Sequence, residues 1–345
     1  MTGGAGFIGC ALSQRLAGQA TSWTVIDNLL PQVHPSGERP ADLHEAATLV
    51  RADVSQEQTW TELDGAPADT IIHLAAETGT GQSLFEASRH GLVNVVGTTR
   101  LTDWLSRQQR LPKHVLLTSS RAVYGEGRWV RADGSDFYPG QRSHEMLSGM
   151  TWDFVGAAAT AARADLTHPS PTSVYGATKL AQEHILSAWA LSQQVPLTVL
   201  RLQNVYGPGQ SLTNSYTGIV TLFSRWAKSG KEIPVFEDGQ IVRDFVYIDD
   251  VAEAVARGLG APTPGLRILD VGSGVPTTIH GLATHLALVH AAPAPVVTGQ
   301  FRDGDIRHGV ADLAVTRREL GFEPKTDLAT GLSRLQTWID AQDEG

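Results

Sequence analysis

The chain has 345 residues, 41% hydrophobic and 18% charged, enough for a large core and two packed regions. A net charge of −9 with no long basic run argues against a nucleic-acid surface, and no apolar run has the length of a membrane span. A single cysteine, Cys10, excludes an internal disulfide framework and suits a reducing cytoplasm, and the 12 histidines lack the spacing of a zinc site, so no metal is expected.

No signal peptide is read at the N-terminus. The chain opens on Met1-Thr2-Gly3-Gly4-Ala5-Gly6-Phe7-Ile8-Gly9. Glycines at 4, 6 and 9 fit G-x-G-x-x-G, and those at 3, 6 and 9 fit G-x-x-G-x-x-G. Such glycines serve a tight turn, backbone approach to a pyrophosphate and close helix-to-strand packing. A helix near Phe7 to Ala17 would aim its N-terminal amides at the phosphates. Trp23-Thr24-Val25-Ile26 reads as the second strand and ends at Asp27, followed by Asn28. A carboxylate at this distance from the glycines suits a ribose 2′-hydroxyl and repels a 2′-phosphate, so NAD is favoured over NADP. The first strand is apparently missing, because only two residues precede Gly3. Its neighbours would then have unpaired edges inside the sheet, which points to a late start site or a truncated form.

Thr48 to Arg51 is a short strand, and Asp53-Val54 after it is a contact for the adenine edge. Thr70-Ile71-Ile72-His73-Leu74 reads as a buried parallel strand ending in Ala75-Ala76, small enough to admit a cofactor. A helix over His90 to Gln108 carries Asn94. His114 to Leu117 is the next strand, with Thr118-Ser119-Ser120 at its carboxyl end, where ligands bind in such sheets. Ser120 is thereby placed to bond a substrate hydroxyl. Residues 127–171 form a long polar stretch with a weak helical run over Phe154 to Ala162. It is expected to be a lid, a binding insertion or disordered.

Tyr175 and Lys179 lie four apart near the start of a helix running to about Gln194. That spacing places them on one face, about 6 Å apart along the axis. An ammonium one turn away favours the phenolate, and a shift of about three units would need about 4 kcal/mol. Leu197 to Arg201 is a further strand leading to Asn204-Val205-Tyr206-Gly207-Pro208. Turn residues then become denser, which suggests a smaller lobe. A helix is expected near Val251 to Leu259, and Ile268 to Gly272 reads as a last strand returning to the main sheet. The expected division is a Rossmann domain of residues 1–203 and 244–273, with 204–243 and 274–345 forming an interleaved substrate lobe.

In this order, Thr2 to Gly9, Asp27, His73-Leu74-Ala75-Ala76, Ser119-Ser120, Tyr175-x-x-x-Lys179, Asn204 to Pro208 and Arg243-Asp244-Phe245-Val246 resemble the extended short-chain dehydrogenases/reductases, the NAD-dependent nucleotide-sugar epimerases and dehydratases. The resemblance covers nearly the whole chain. It implies an α/β, doubly wound parallel sheet, NAD as cofactor and a nucleotide sugar as substrate. It also implies that Tyr175 is the general base, Lys179 its pKa partner and nicotinamide-ribose ligand, and Ser120 the third catalytic member. Gly3, Gly6, Phe7, Ile8, Gly9, Asp27, Asn28, Asp53, Val54, Leu74, Ala75, Ala76, Asn94 and Ser119 would join Tyr175 and Lys179 around the cofactor. Asn204, Arg243 and the Arg302-x-Gly304-Asp305 segment would hold the nucleotide diphosphate and ribose. A homodimer through the helices at 90–108 and 174–194 is implied as well.

A closer likeness, to the dTDP-L-rhamnose 4-epimerases, rests on Gly79 to Ser83, Tyr124 to Gly127, Tyr206 to Gln210, Tyr216-Thr217-Gly218, Gly304 to His308 and the insertion before Tyr175. It implies epimerisation of dTDP-L-rhamnose to dTDP-6-deoxy-L-talose through a 4-keto sugar. A 4-reductase or dehydrogenase, a UDP-hexose 4-epimerase and a catalytically silent binding protein remain open at this point. A 4,6-dehydratase is disfavoured. Related dehydratases carry an Asp and a Glu directly after the catalytic Ser/Thr, where this chain has Arg121 and Ala122, and Glu126 is expected to point away from carbon 5.

Overall fold

Runs such as Val115-Leu116-Leu117 and Val199-Leu200 carry apolar side chains on both faces, and both faces are covered. Val115, Leu117 and Val199 pack under the helices Gly97–Arg107 and Val174–Gln193 with Leu101, Trp104, Leu105 and Leu186. Leu116 and Leu200 point the other way, into a core with Leu12, Val251, Val255 and Phe322. Each such fully buried side chain contributes about 2 kcal/mol. The computed structural model describes residues 1–63, 68–212 and 218–343. Tyr216 and Thr217 lie outside the described residues.

Along the chain the described strands are β1 (Thr24–Asp27), β2 (Thr48–Arg51), β3 (Thr70–His73), β4 (His114–Ser120), β5 (Trp129–Arg131), β6 (Asp136–Phe137), β7 (Ala157–Ala159), β8 (Leu197–Leu202), β9 (Asn204–Tyr206), β10 (Pro234–Val235), β11 (Val242–Tyr247), β12 (Leu266–Val271), β13 (Pro276–Thr278), β14 (Val296–Val297) and β15 (His308–Gly309). β3, β4, β8 and β12 pair in parallel in that order, and β1 pairs in parallel with β2. This is the parallel α/β sheet expected from the alternation of strands and helices. β12 joins the main sheet beside β8, as its apolar run suggests.

The place expected to be vacant is filled over a short length. Thr2 bridges Ile26 of β1 and His73 of β3, parallel to both. Its amide donates to Ile72 O at 2.9 Å, the Leu74 amide donates back at 3.0 Å, and the Ile26 amide donates to Met1 O at 2.8 Å. Met1 to Gly3 therefore join the two halves of the sheet, although no regular strand is assigned there among the described residues. The sheet reads β2, β1, Thr2, β3, β4, β8, β12, and the direction of winding reverses between Thr2 and β3. Ligands of open α/β sheets bind at such a switch point.

Residues 127–171 are folded. β6, β5 and β7 form an antiparallel sheet, and a short helix spans His144–Ser148. Within the helical run expected over Phe154 to Ala162, Ala157–Ala159 instead form β7 and the flanking residues are not helical. Gly156 takes a φ of +76°, and Phe154 packs edge-on against Trp129 and Phe137. Alanine's helix preference is a weak prior that such packing overrides. A separate core gathers Tyr206, Phe223, Phe245, Leu282, Leu286 and Leu335, beside a second sheet in which β11 pairs with β9, β13 and β15.

Candidate active site

The site lies at the carboxyl ends of the parallel strands. Gly3 takes a φ of +66°, and a Cβ there would sit 2.5 Å from the Ala75 amide nitrogen, so only glycine lets the first turn approach the end of β3. At Gly9 a Cβ would lie 2.4 Å from Gly4 O, so helix Phe7–Arg15 packs directly on the turn. The expected helix to Ala17 stops at Arg15. Together these elements open a cleft of about 430 Å³. Its lining includes Gly3, Gly6, Phe7, Ile8, Gly9, Asp27, Asn28, Asp53, Val54, Leu74, Ala75 and Ala76 at one end, and Ser120, Tyr175 and Asn204 at the other.

Asp27 accepts the Ala5 amide on one carboxylate oxygen and the Leu29 amide on the other, both at 3.0 Å. It ties β1 to the glycine turn, and each oxygen keeps lone-pair capacity toward the cleft. Burial pushes the Asp53 carboxyl up, but hydrogen bonds from Ser55 and Asn28 more than offset this and hold it below the ordinary range.

Ser120 ends β4, and its Oγ accepts the Ala122 amide at 3.1 Å, starting a one-turn helix over Arg121–Tyr124. Ser173 caps the Tyr175 helix by accepting the Gly176 amide. A Cβ on Gly176 would be 2.4 Å from Ala122 O, so this glycine lets the two turns meet. The meeting brings the Ser120 hydroxyl and the Tyr175 phenol together in the cleft wall, near enough for the hydroxyl to favour the phenolate. Burial pushes the Tyr175 phenol above its ordinary pKa, while the neighbouring Ser120 hydroxyl and the Arg121 charge pull it down.

Lys179 shares the helix face with Tyr175, but its ammonium turns to the sheet. Nζ donates to Thr118 O at 2.8 Å and to the Gln182 side chain. Burial lowers its pKa to about 7, opposed by Glu183. Arg121 is a cation that bears on the phenol, while the Lys179 Nζ bonds Thr118 O and Gln182. Gln182 passes the network on to Thr98 at 2.9 Å and to His73, whose pKa burial lowers to about 3, leaving a neutral imidazole.

Three expected cofactor residues lie behind the cleft wall. Asn94 sits in a π-helical turn, Gly91–Val96, within the helix expected from His90 to Gln108. It is fully buried; its amide accepts from Glu77 N at 2.7 Å and donates to Glu77 O and to Thr178 at 3.0 Å. It fixes the loop after β3 to the Tyr175 helix. Ser119 donates to Glu183, which also pairs with Arg201. Lys179 is the third.

Among expected substrate residues, Arg243 and Asp305 pair at 2.6 Å just outside the lining. Asp244 is not Arg243's partner; it accepts from Ser273, Gly274 and Ala311. Arg302 is exposed, 5.0 Å over the Phe236 ring. Glu126 is buried against Arg142 and the Arg307 amide, outside the lining. Arg121 lines the cleft and its Nε donates to Asn204 Oδ1 at 2.7 Å. Burial and the neighbouring Arg243 charge push its pKa to about 9, still a cation at neutral pH. From the sequence, Arg121 counts only as a missing acid. Its place directly after Ser120, at a strand's carboxyl end, was the signal for a cleft residue.

The chain belongs to the NAD dependent epimerase/dehydratase family, whose model matches residues 1–272. A curated relative, the dTDP-L-rhamnose 4-epimerase of Burkholderia thailandensis, is 58% identical over 341 residues, covering 98% of this chain and 94% of its own. The crystal structure of Thermotoga maritima UDP-glucose 4-epimerase with UDP-glucose superposes with a TM-score of 0.81 at 27% identity, over 99% of this chain and 98% of that one. The dTDP-glucose 4,6-dehydratase of Streptomyces venezuelae, solved with NAD bound, has a TM-score of 0.79 at 25% identity, over 99% and 97%. NAD is the cofactor of the family, and the cleft fits it. The Cβ-intolerant glycines leave backbone amides open to a pyrophosphate, and Asp27 stands where a ribose hydroxyl needs an acceptor.

Proposed function

We propose that the protein inverts carbon 4 of dTDP-L-rhamnose to give dTDP-6-deoxy-L-talose. The observation that carries this reading is the placing of Ser120 and Tyr175 together in the cleft wall, with Arg121 and Ala122 after Ser120 where a dehydratase needs two proton-transferring acids. The 58% identical rhamnose-nucleotide epimerase supports the substrate.

Gly3, Gly6 to Gly9, Asp27, Asn28, Asp53, Val54 and Leu74 to Ala76 hold NAD, which supplies a reversible hydride acceptor. Tyr175 takes the proton of the carbon-4 hydroxyl and later returns it. Ser120 bonds the same sugar oxygen and steadies the phenol. Arg121 offsets the cost of a buried phenolate. Asn94, Ser119 and Lys179 act from behind, fixing the wall. Asn204, Arg243, Asp305 and Arg302 receive the nucleotide diphosphate and ribose, for which a guanidinium fork is suited.

The division into 1–203 with 244–273, and 204–243 with 274–345, is part of the same proposal. It is supported by the β12–β8 pairing and by the separate core around Phe223. We also propose a cytoplasmic homodimer. Leu92 and Leu191 are about half exposed, one on each of the two helices expected to pair. Among the described residues no helix is long and apolar enough to cross a membrane, and no cluster of side chains could hold a metal ion.

The test is incubation with a panel of nucleotide sugars, read by NMR. Inversion at carbon 4 of dTDP-L-rhamnose is expected. Preferred turnover of a UDP-hexose would move the assignment to a UDP-hexose epimerase. Sustained 4-keto-6-deoxy product from dTDP-glucose would overturn it.

A further inference from the structure

Residues 127–171 contribute no side chain to the cleft lining, yet one of them, Arg142, is joined to its substrate end. Arg142 is 1% exposed, and each of its five N–H groups has an acceptor. Nε donates to Glu126 at 2.9 Å. Nη1 donates to Glu237 at 2.8 Å and to Trp152 O at 3.3 Å. Nη2 donates to Glu237 and to Asp305 O, both at 2.9 Å. The second oxygen of Glu126 accepts the Arg307 amide at 2.9 Å. The backbone is therefore clamped on both sides of Ile306, once through a carbonyl and once through an amide. At the first of these clamps, the Asp305 side chain accepts Arg243 on Oδ1 at 2.6 Å.

We propose that Arg142 is a positioning residue of the substrate site. It holds the Asp305 backbone, so that the Asp305 carboxylate fixes the Arg243 guanidinium, without itself touching substrate. The insertion thus acts as a strut for the nucleotide-diphosphate end. A buttress for the fold alone would need neither the reach to the Asp305 carbonyl nor the second clamp at Arg307. Glu237 supports the same reading. It is buried at a φ of +53°, unusual for a side chain with a Cβ, and its carboxylate meets Arg142 and Arg307 together.

This inference rests on the substrate reading above, so the test measures binding and turnover separately. Arg142→Lys keeps the charge but cannot reach Glu126, Glu237 and Asp305 at once. Its Kd for dTDP by calorimetry and its KM for dTDP-L-rhamnose should each rise about tenfold, the loss of one charge-assisted hydrogen bond. Its kcat and its Kd for NAD should stay within about twofold of the parent's. Unchanged dTDP affinity in a folded Arg142→Lys protein, or equal losses in NAD and dTDP binding, would overturn the proposal. Should that variant not fold, Glu126→Gln keeps volume but leaves one acceptor oxygen for two donors, Arg142 Nε and the Arg307 amide, so one of the two contacts opens. A rise in its dTDP Kd with unchanged NAD binding supports the strut, and no rise overturns it. A parent enzyme that binds dTDP but inverts no sugar would remove the epimerase reading and leave the strut standing.

Discussion

The two ends of the cleft are built from different materials. At the cofactor end, Gly3, Gly9, Ala75 and the Thr2 bridge bring backbone against backbone, and the decisive quantity is the absence of a Cβ. At the substrate end, Arg243 and Arg121 reach Asp305 and Asn204 through their side chains, from four separate segments. A backbone-built end has few ways to fail and fails completely. A side-chain-built end can be weakened in steps, because each ion pair carries only part of the geometry.

The largest expected effect lies at the junction of the two ends. Tyr175→Phe should lower kcat by at least about a hundredfold, the scale of general-base catalysis, while NAD affinity by calorimetry stays near the parent's. Near-normal turnover would take Tyr175 out of the chemistry. Next comes Arg121→Gln. Catalysis needs the phenolate; burial raises the phenol's pKa, and Arg121 opposes that rise. Removing the cation raises the pKa further. The ascending limb of the kcat/KM–pH profile should therefore move to higher pH, by about one unit if about 1.4 kcal/mol of stabilisation is lost. A limb that stays in place would assign the tuning to Lys179 instead. The smallest effect is at the ribose. The parent should bind NAD at least about tenfold more tightly than NADP, about 1.4 kcal/mol, and Asp27→Asn should narrow that gap. Equal affinities in the parent would break the ribose role of Asp27.

The same contrast explains what the sequence made legible. Gly3 to Gly9, Asp27 and Ala75-Ala76 announce themselves locally, since each obeys a steric or charge rule within a few residues of a strand end. The parallel sheet followed from continuous apolar runs such as Ile71-Ile72 and Val115 to Leu117. The apparent lack of a first strand misled, because hydrogen bonds of Met1, Thr2 and Gly3 join β1 to β3 without a regular strand. Lys179 is one turn from Tyr175 as spacing requires, but spacing cannot tell that Thr118 O and Gln182 capture the ammonium. Nor can local pattern show that Arg142 reaches a carbonyl 163 residues away. The alanines of 157–159 read as helix formers until Trp129 and Phe137, remote in sequence, claim Phe154 beside them.

One measurement reaches the central claim most directly. The enzyme with catalytic NAD and an excess of dTDP-L-rhamnose is followed by NMR at carbon 4 and by absorbance for NADH. The account predicts conversion toward an equilibrium of the two carbon-4 epimers, with no net accumulation of NADH. Stoichiometric NADH, or an unchanged sugar in the presence of bound NAD, would contradict it.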